Sequence, residues 1–341
     1  MSKECYDIIF ITNQPAFYKV KQWNMIGERQ RVLLIFTDQK EKDRNNDFVS
    51  EKPSFEYYIL PKNKLAGFWE LISILFRYSF KQLIIGGWDD WRLILLAFLS
   101  SKKKNAVLCE SSFYEYKPHF IKDSIKKLFL TRISTVYPSG LAQGKIFEHF
   151  HFKGEYKYTG GCGVLNYIPQ PAYKPRECVR RFLYVGRLVE VKNLKMLIDV
   201  FNSFPHLQLD IIGFGEQEEY LKMMSQSNIH FLGAIPNKEL LTYYQMTDVF
   251  VLPSIVEPWG LVVEESLNNG TPVIVSDRVG CKDDLVTEET GIVFSAYDKE
   301  SLKEAVLKIS DVGYYNKLRE NISKLNFQER AQHQIDIFIT K

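Results

Sequence analysis

The stretch Ser254-Ile-Val-Glu-Pro-Trp-Gly-Leu-Val-Val-Glu-Glu-Ser266 is the most informative part of this chain. The apolar run 249–253 precedes it and is typical of a buried parallel strand. Asn268-Asn269-Gly270 follows as a helix stop, and the apolar run after it predicts the next strand. The stretch is therefore predicted to be a loop and a short helix at the carboxyl end of a strand. Ligands of open α/β sheets bind at such ends.

The same stretch carries groups that suit a nucleotide sugar. Gly260 lets the backbone approach a ligand, and the amides at the start of the following helix favour an anion. Glu257 on the loop and Glu265 about two helical turns later offer acceptors for hydroxyl groups. Glu264 is turned about 100° from Glu265 around the helix, so we expect it at the surface.

Glu257 and Glu265, with Pro-Trp-Gly in register between them, resemble the Glu-seven-residues-Glu signature of retaining glycosyltransferases of family 4. The resemblance implies that Glu257 is a catalytic-site residue near the sugar ring, where it contacts the sugar hydroxyls. It implies that Glu265 accepts hydrogen bonds from the ribose. It also implies that the distal phosphate and the sugar are held by the backbone amides of four residues: Trp259, Gly260, Leu261 and Val262.

Strand and helix patterns alternate along the chain in two series, one up to about residue 150 and one from about residue 182. Such repeats predict doubly wound parallel sheets, and the Gly- and Pro-rich stretch 159–175 predicts a linker. We expect an α/β fold with two Rossmann-like domains facing a cleft, an acceptor-binding domain over 1–165 and a nucleotide-sugar domain over 176–312. The resemblance extends to nearly the whole chain and implies the GT-B architecture, with helices over 313–341 packing back toward the first domain.

The donor side has a second cluster of signals. Gly186-Arg187-Leu188 follows the first strand of the second domain, and Lys192 stands near the next helix start. Two cations there suit a diphosphate, because a leaving phosphate gains negative charge as its bond breaks. The pattern resembles the diphosphate-binding element of family 4, which implies a catalytic role for Arg187 and Lys192. This chain has Asn193 where the family usually has glycine.

Two further turns are predicted beside the nucleotide. Gly213 and Gly215 end the second strand of this domain, and the family uses that turn next to the nucleotide. The stretch 231–236 resembles the loop against the base, with main-chain contacts at Ala234 and Ile235. Main-chain contacts do not identify a base, so uracil, guanine and adenine all stay open.

Signals on the acceptor side are weaker. The loop at residues 12–19 resembles a variant of the family's first loop and supplies the candidate acceptor contacts Asn13, Gln14, Tyr18 and Lys19. Glu110 follows a later strand, at the place where many relatives have a histidine or an acid near the sugar, and is a candidate catalytic residue. An ion pair or a helix entry explains Glu110 equally well. Trp88 follows another strand and is a further acceptor candidate, and Asp89 beside it suits a helix cap.

Charge is unevenly divided along the chain. Residues 1–170 hold 25 Lys and Arg against 17 Asp and Glu, and the remainder holds 19 against 24. This asymmetry suggests a polyanionic or membrane-surface partner for the first domain. A basic and aromatic surface is expected from Lys102, Lys103, Lys104, Lys122, Lys126 and Lys127 with Trp88, Trp91 and Phe129. A simply solvated lysine-rich helix is the alternative.

Other features exclude several classes. The five cysteines are scattered without zinc or disulfide spacing and fit a reducing cytosol. The first residues lack a signal-peptide pattern, and the longest apolar run, 93–99, is too short to span a bilayer. We expect a cytoplasmic protein, peripheral at the inner face of the membrane. No D-x-D or His/Cys cluster occurs, so no metal or other cofactor is expected, and no motif suggests nucleic acid.

The sequence therefore predicts a retaining, metal-independent glycosyltransferase. It would move a sugar from a nucleotide-diphosphate sugar to a glycan or lipid-linked acceptor, a surface-polysaccharide precursor in a bacterium. Two alternatives stay open, a nucleotide-sugar epimerase of the same fold and a catalytically degenerate partner subunit. The first would need more acids and histidines in the first domain, and the second would predict loss of Arg187, Lys192 or the glutamate pair.

Overall fold

The computed structural model describes residues 4–37, 49–165 and 169–339, which form two α/β units. The first unit is Met1–Asn166 with Gln328–Lys341, and the second is Tyr167–Phe327. The change of unit near residue 166 falls within the Gly- and Pro-rich stretch 159–175.

The first unit is built on a parallel sheet that has seven strands among the described residues, in the order β3-β2-β1-β4-β5-β6-β7. Long apolar runs form its central strands because both faces of a parallel sheet are covered. The strands are β1 (Cys5–Thr12), β2 (Val32–Phe36), β3 (Tyr57–Ile59), β4 (Ser79–Ile85), β5 (Asn105–Cys109), β6 (Thr135–Pro138) and the unpredicted short β7 (Glu155–Tyr156).

Helices cover both faces of this sheet. They are α1 (Phe17–Gly27), α2 (Lys64–Arg77), α3 (Trp91–Leu99), α4 (Phe120–Leu130), α5 (Leu141–His149) and, from the end of the chain, α13 (Phe327–Asp336). Helices α2 to α5 pack on one face, against alternate residues of β1, β2, β4, β5 and β6. The cap of α3 is Asp90, whose carboxylate accepts the N–H of Arg92 at 2.9 Å, and not Asp89.

The last helix is an integral part of the first unit. Phe338, just after α13, stacks on Tyr137 with ring centroids 4.7 Å apart and lies 5.1 Å from the ring of Trp23. The side chain of Gln22 donates to the carbonyl of Gln334 at 3.0 Å. These contacts join α13 to α1 and β6.

The second unit contains a six-stranded parallel sheet in the order β10-β9-β8-β11-β12-β13. Its strands are β8 (Arg181–Val185), β9 (Gln208–Ile212), β10 (Ile229–Gly233), β11 (Val249–Leu252), β12 (Val273–Ser276) and β13 (Gly291–Phe294). Its helices are α6 (Leu194–Phe201), α7 (Glu218–Met224), α8 (Asn237–Met246), α9 (Leu261–Asn268), α10 (Lys282–Leu285), α11 (Lys299–Ser310) and α12 (Val312–Ile322).

Two details differ from the sequence prediction. Helix α12 lies in the second unit and only α13 lies with the first, so the segment 313–341 is divided between the units. Helix α1 begins at Phe17, so Tyr18 and Lys19 stand on its first turn and not in a loop.

Candidate active site

Three loops lie side by side at the carboxyl edge of the second sheet. The N–H of Gly186 donates to the carbonyl of Ile212 at 2.9 Å, and that of Gly213 donates to Gly233 at 2.8 Å. A Cβ on Gly213 would stand only 1.8 Å from the carbonyl oxygen of Gly186, so glycine is required for this approach. The turns around Gly186, Gly213 with Gly215, and Ala234 with Ile235 are thus brought together at one sheet edge, and their contacts with a nucleotide stay predictions.

The Glu257 loop is held on both sides by backbone bonds. On one side the N–H of Ile255 donates to Val191 at 2.9 Å. On the other side Glu257 pairs with Val279 in an isolated parallel bridge, and its carbonyl accepts the N–H of Gly280 at 3.0 Å. The position of Glu257 is therefore fixed by the turn before α6 and by the turn after β12.

Lys192 and Glu257 form an ion pair, with 2.5 Å between Nζ and Oε2. Their side chains are 12% and 13% exposed, and Ser254 Oγ lies 3.5 Å from the same carboxylate oxygen. Each charge is thereby neutralised within the protein. Two residues that the sequence assigns to the phosphate and to the sugar are in direct contact.

Asn193, the departure from the family pattern, has left-handed backbone angles, φ 55° and ψ 35°. Asparagine tolerates this region better than most residues, which explains how it stands where glycine is usual. Its side-chain amide also donates to the carbonyl of Ala296 at 3.0 Å. The turn that carries Lys192 into α6 therefore keeps its conformation with a different residue.

Arg187 stands half-buried at the end of β8. The hydroxyl of Tyr184 donates to the backbone carbonyl of Arg187 at 2.9 Å and holds that turn. In the described part of the chain, no carboxylate forms an ion pair with the Arg187 guanidinium. A cation without a protein counter-ion is suited to receive an anionic ligand.

Helix α9 begins directly after Gly260, whose φ of 101° is unfavourable for any residue with a side chain. The first amides of a helix, here those of Leu261 and Val262, have no intrahelical acceptor and are therefore suited to bind an anion. The side chain of Trp259 is buried, so only its backbone faces this position.

Glu265 is half-buried on α9, and its Oε2 accepts the hydroxyl of the buried Tyr244 at 2.9 Å. Burial raises the pKa of Glu265 from 4.5 to about 7; the Tyr244 hydrogen bond acts in the opposite direction, and the neighbouring Glu264 adds to the increase. Glu265 therefore changes charge near neutral pH.

The expectation that Glu264 lies at the surface is wrong. Glu264 is completely buried, and the indole N–H of Trp259 lies 3.5 Å from its Oε2. Helix α9 is packed so that its Glu264 side faces the interior. The side of Glu265 is left partly open.

On the acceptor side, the buried Lys19 of α1 and the half-buried Glu110 after β5 form an ion pair, 2.8 Å from Nζ to Oε2. Burial alone would lower the pKa of Lys19, but the Glu110 carboxylate raises it above its ordinary value. The other oxygen of Glu110 is buried and has no hydrogen-bond partner in the described part of the chain. The ion-pair alternative for Glu110 is thus present.

The remaining acceptor candidates are in different environments. Asn13 is exposed, and its Oδ1 accepts the N–H of Gln14 at 2.9 Å, while Gln14 itself is buried. Tyr18 is half-buried on α1. Trp88 is only 7% exposed and packs against Phe129, Phe147 and Phe150. Its position is that of a core residue, and an acceptor contact by its ring stays a prediction.

The expected basic and aromatic surface is also partly wrong, because two of its three aromatic residues lie in the core. Phe129 is completely buried and Trp88 nearly so, and of the three aromatic residues only Trp91 is exposed. The lysines at 102–104, Lys122 and Lys127 are exposed, and Lys126 lies 5.1 Å above the Trp88 ring.

Sequence reasoning missed Tyr244, which holds Glu265 from helix α8, and Val279, which pairs with the Glu257 loop. Neither residue stands in a motif, and each reaches the site through a contact between elements distant in sequence. Asn193 carried a usable signal, because asparagine at a glycine position suggests a left-handed turn.

Three further features of the described residues concern metal binding, membrane crossing and cavities. No group of three or more His, Cys, Asp or Glu side chains is placed to hold a metal ion. No described helix is long and apolar enough to cross a bilayer. A cavity of about 480 Å³ lies at the amino-terminal ends of β8 and β9, lined by Arg181, Gln208 and Asp210 among others, at the opposite edge from the Glu257 loop.

The second unit is similar in sequence to a known protein family. The model for "Glycosyl transferases group 1" matches residues 171–328. That segment is similar to the group 1 glycosyl transferases. The match covers nearly the whole second unit and includes Arg187, Lys192, Glu257 and Glu265.

The curated relatives described here align with less than half of this chain. Sulfoquinovosyl transferase SQD2 of Arabidopsis thaliana is 32% identical over 164 residues, 47% of this chain and 31% of that protein. O-antigen biosynthesis glycosyltransferase WbnH of Escherichia coli is 34% identical over 121 residues, 35% of each chain. The matches thus span about a third of the length of these curated relatives.

Solved structures resemble the whole chain. Sucrose-phosphate synthase from Thermosynechococcus elongatus has a TM-score of 0.72 at 19% identity, over 97% of this chain and 94% of that one. Anabaena Alr3699/HepE in complex with UDP has a TM-score of 0.71 at 14% identity, over 97% of both chains. These likenesses confirm the predicted fold class, GT-B.

Proposed function

We propose that this protein is a retaining glycosyltransferase that moves a sugar from a nucleotide-diphosphate sugar to a hydroxyl of a glycan or lipid-linked acceptor. The observation that carries the proposal is one sheet edge of the second unit, where Arg187, the Lys192–Glu257 pair and the start of α9 follow neighbouring strands. The family match of residues 171–328 supports the same chemistry.

On the donor side, each group has a distinct task. The guanidinium of Arg187 and the ammonium of Lys192 neutralise the charge that builds on the departing diphosphate. The amides at the start of α9 hold the distal phosphate, and Glu265 accepts hydrogen bonds from the ribose hydroxyls. Glu257 accepts hydrogen bonds from the sugar, while its ion pair with Lys192 keeps both side chains in place before the donor binds.

Transfer then takes place on one face of the sugar. The leaving phosphate accepts the proton of the incoming hydroxyl, so no carboxylate nucleophile is required. The two protein cations take the electrostatic role, and we propose that the reaction needs no metal ion. In the first unit, we propose that the unpartnered oxygen of Glu110 accepts a hydrogen bond from a second hydroxyl of the acceptor, one that does not react, with Lys19 holding that carboxylate.

For the substrates we propose a surface-polysaccharide or lipid-linked precursor in a bacterium, used at the cytoplasmic face of the membrane. WbnH is named for O-antigen biosynthesis, and the HepE structure contains UDP, so UDP is the first nucleotide to test. The proteins compared above give no support to an epimerase.

The test begins with a thermal-shift screen of UDP, GDP, ADP, TDP and CMP, because a ligand that binds only the folded state raises its melting temperature. We expect one nucleoside diphosphate to stabilise the protein, and the matching nucleotide sugar to be turned over equally well with excess chelator. The screen is then repeated on Arg187→Ala and on Lys238→Ala, an exposed lysine of the same unit.

Arg187→Ala should weaken binding of the diphosphate by about 10- to 100-fold, which corresponds to a lost charged hydrogen bond. It should leave binding of the corresponding nucleoside unchanged, and Lys238→Ala should affect neither. Equal diphosphate affinity in wild type and Arg187→Ala would refute the donor site.

A further inference from the structure

Three neighbouring helices of the first unit expose an unusual amount of apolar surface. On α4, Phe120 is 87% exposed, and on α2, Trp69 and Phe76 are 66% and 70% exposed. We call the whole set the apolar platform. It consists of the exposed apolar side chains of these helices, among them Trp69 and Phe76 of α2, Trp91 and Phe98 of α3, and Phe120 and Ile121 of α4.

The platform is distinct from the face that these helices turn toward the sheet. Core contacts come from other residues of the same helices, such as Leu71 on α2, Leu96 on α3 and Phe129 on α4. Helix α3 is apolar on both sides, and its single charged residue, Arg92, is buried against Asp90. A helix that is apolar all round is normally covered, yet no described element covers the outer side of α3.

Side-chain contacts make the three stripes continuous. Phe68 of α2 lies 5.3 Å from the ring of Trp91 on α3. Arg132, just after α4, donates to the carbonyl of Ser100 at 3.1 Å and lies 5.7 Å above the ring of Phe98. The platform is therefore one surface and not a scatter of single exposed residues, which would need no explanation.

The charge around the platform is positive. Helix α4 carries Lys122, Lys126 and Lys127 against Asp123 alone, and the carboxylate of Asp123 is engaged by the Tyr116 hydroxyl at 2.8 Å. The exposed lysines at 102–104 follow directly after α3. Apolar and tryptophan side chains bordered by lysines complement an anionic lipid surface, where the rings enter the interface and the ammonium groups meet the head groups. A second copy of the same surface would place lysines against lysines.

We propose that the apolar platform docks this protein on the surface of an anionic lipid bilayer. Helices α2, α3 and α4 begin after the carboxyl ends of β3, β4 and β5, and Glu110 follows β5 at the same edge. The starts of these helices, which carry Leu65, Trp91 and Phe120, therefore lie at the same edge as Glu110, and a bilayer on the platform covers that end of the helices. This places the head group of a lipid-linked acceptor near that carboxylate, a link that rests on the proposed function.

The experiment is flotation of the full-length protein with vesicles of phosphatidylcholine, with or without phosphatidylglycerol. We expect binding to the anionic vesicles and weaker binding at high salt. Phe120→Ser with Ile121→Ser should reduce partitioning at least tenfold per side chain. Lys122→Gln with Lys127→Gln should reduce it about fivefold per lysine.

Matched controls come from exposed residues of the second unit. Tyr220→Ser with Met223→Ser removes two exposed apolar side chains from α7, and Lys238→Gln with Lys317→Gln removes two exposed lysines. Both control proteins should float like wild type. Platform variants should keep the wild-type melting temperature, because the changed side chains lie in solvent.

Two results would overturn the proposal. One is wild-type protein that binds neither kind of vesicle. This includes the case in which the protein is a dimer in solution and the double variant Phe120→Ser with Ile121→Ser dissociates it. The other is equal flotation of platform and control variants. The thermal shift with the nucleoside diphosphate is measured on the same samples, so a failed docking surface and a failed donor site are told apart.

Discussion

At the scale of single residues, the candidate donor site depends on carboxylates in very different environments. Glu257 is paired with Lys192, Glu265 is half-buried beside a tyrosine, and Glu264 is completely enclosed. The neighbours Glu264 and Glu265 differ because α9 turns one of them into the core and the other toward its rim. Glu265→Gln should therefore raise the free energy of unfolding at pH 8, and Glu264→Ala should lower it.

Glu265 should make stability and nucleotide binding depend on pH in opposite directions. Its folded pKa of about 7 lies above the ordinary 4.5, so the folded protein binds this proton more tightly than the unfolded chain. Stability from this group is present below pH 4.5 and is lost as pH rises through 7. Glu265→Gln should therefore unfold at higher temperature than ligand-free wild type at pH 8, with a gain on the order of 2 kcal/mol.

Nucleotide binding should behave the other way, because ribose hydroxyls donate to the ionised carboxylate. We expect the affinity of wild type for the nucleoside diphosphate to fall as pH decreases from 8 to about 6. The same titration with Glu265→Gln should be flatter and weaker throughout, as measured by calorimetry against one nucleotide. Parallel pH curves for the two proteins would contradict this assignment.

Glu264 should matter for stability instead. Glu264→Ala removes a buried acceptor near the Trp259 indole and leaves a cavity, so the free energy of unfolding should fall by about 1–3 kcal/mol. Urea denaturation measures this, with Glu219→Ala on the exposed face of α7 as the control, expected within about 0.5 kcal/mol of wild type. A neutral Glu264→Ala would show that α9 is rotated differently.

At the scale of elements, the strand-to-helix turns carry the site, and their backbone conformation decides where side chains stand. The turn into α6 depends on Asn193 in the left-handed region, and the turn into α9 depends on Gly260. A residue that resists positive φ would shift Lys192 or the α9 amides without touching a ligand.

Asn193 offers a test of that idea. Asn193→Gly and Asn193→Ala both lose the hydrogen bond to Ala296, so their difference isolates the backbone. Asn193→Ala should be less stable than Asn193→Gly by about 1–2 kcal/mol, because alanine is strained at φ 55°. Chemical denaturation of the two variants decides it, and equal stability would mean that the turn relaxes at little cost.

At the scale of the whole molecule, the chain returns to its first unit only at its end. Helix α13 and Phe338 complete the core around Trp23 and Tyr137, although more than 150 residues of the second unit intervene. The core of the first unit therefore cannot be complete until α13 and Phe338 are in place.

Phe338→Ala should destabilise the first unit selectively. Loss of this buried ring should cost about 3–5 kcal/mol, and hydrogen exchange should increase in β1, α1 and β6 but not in β8 to β13. Ile339→Ala, one residue further on, is the control. Increased exchange spread evenly over both units would contradict a local role for the C-terminal helix.

The sequence by itself determined the series of strands and helices and the loops that gather at one edge of the second sheet. It could do so because apolar runs, glycines and helix stops act locally, and parallel strands place their carboxyl ends together. Only the tertiary structure decided which side of α9 is buried, that Tyr244 holds Glu265, that Lys19 pairs with Glu110, and that Trp88 packs inside while α2 to α4 leave apolar stripes outside. Spacing along a helix fixes relative directions around its axis, but the rotation of that axis is set by packing against elements distant in sequence.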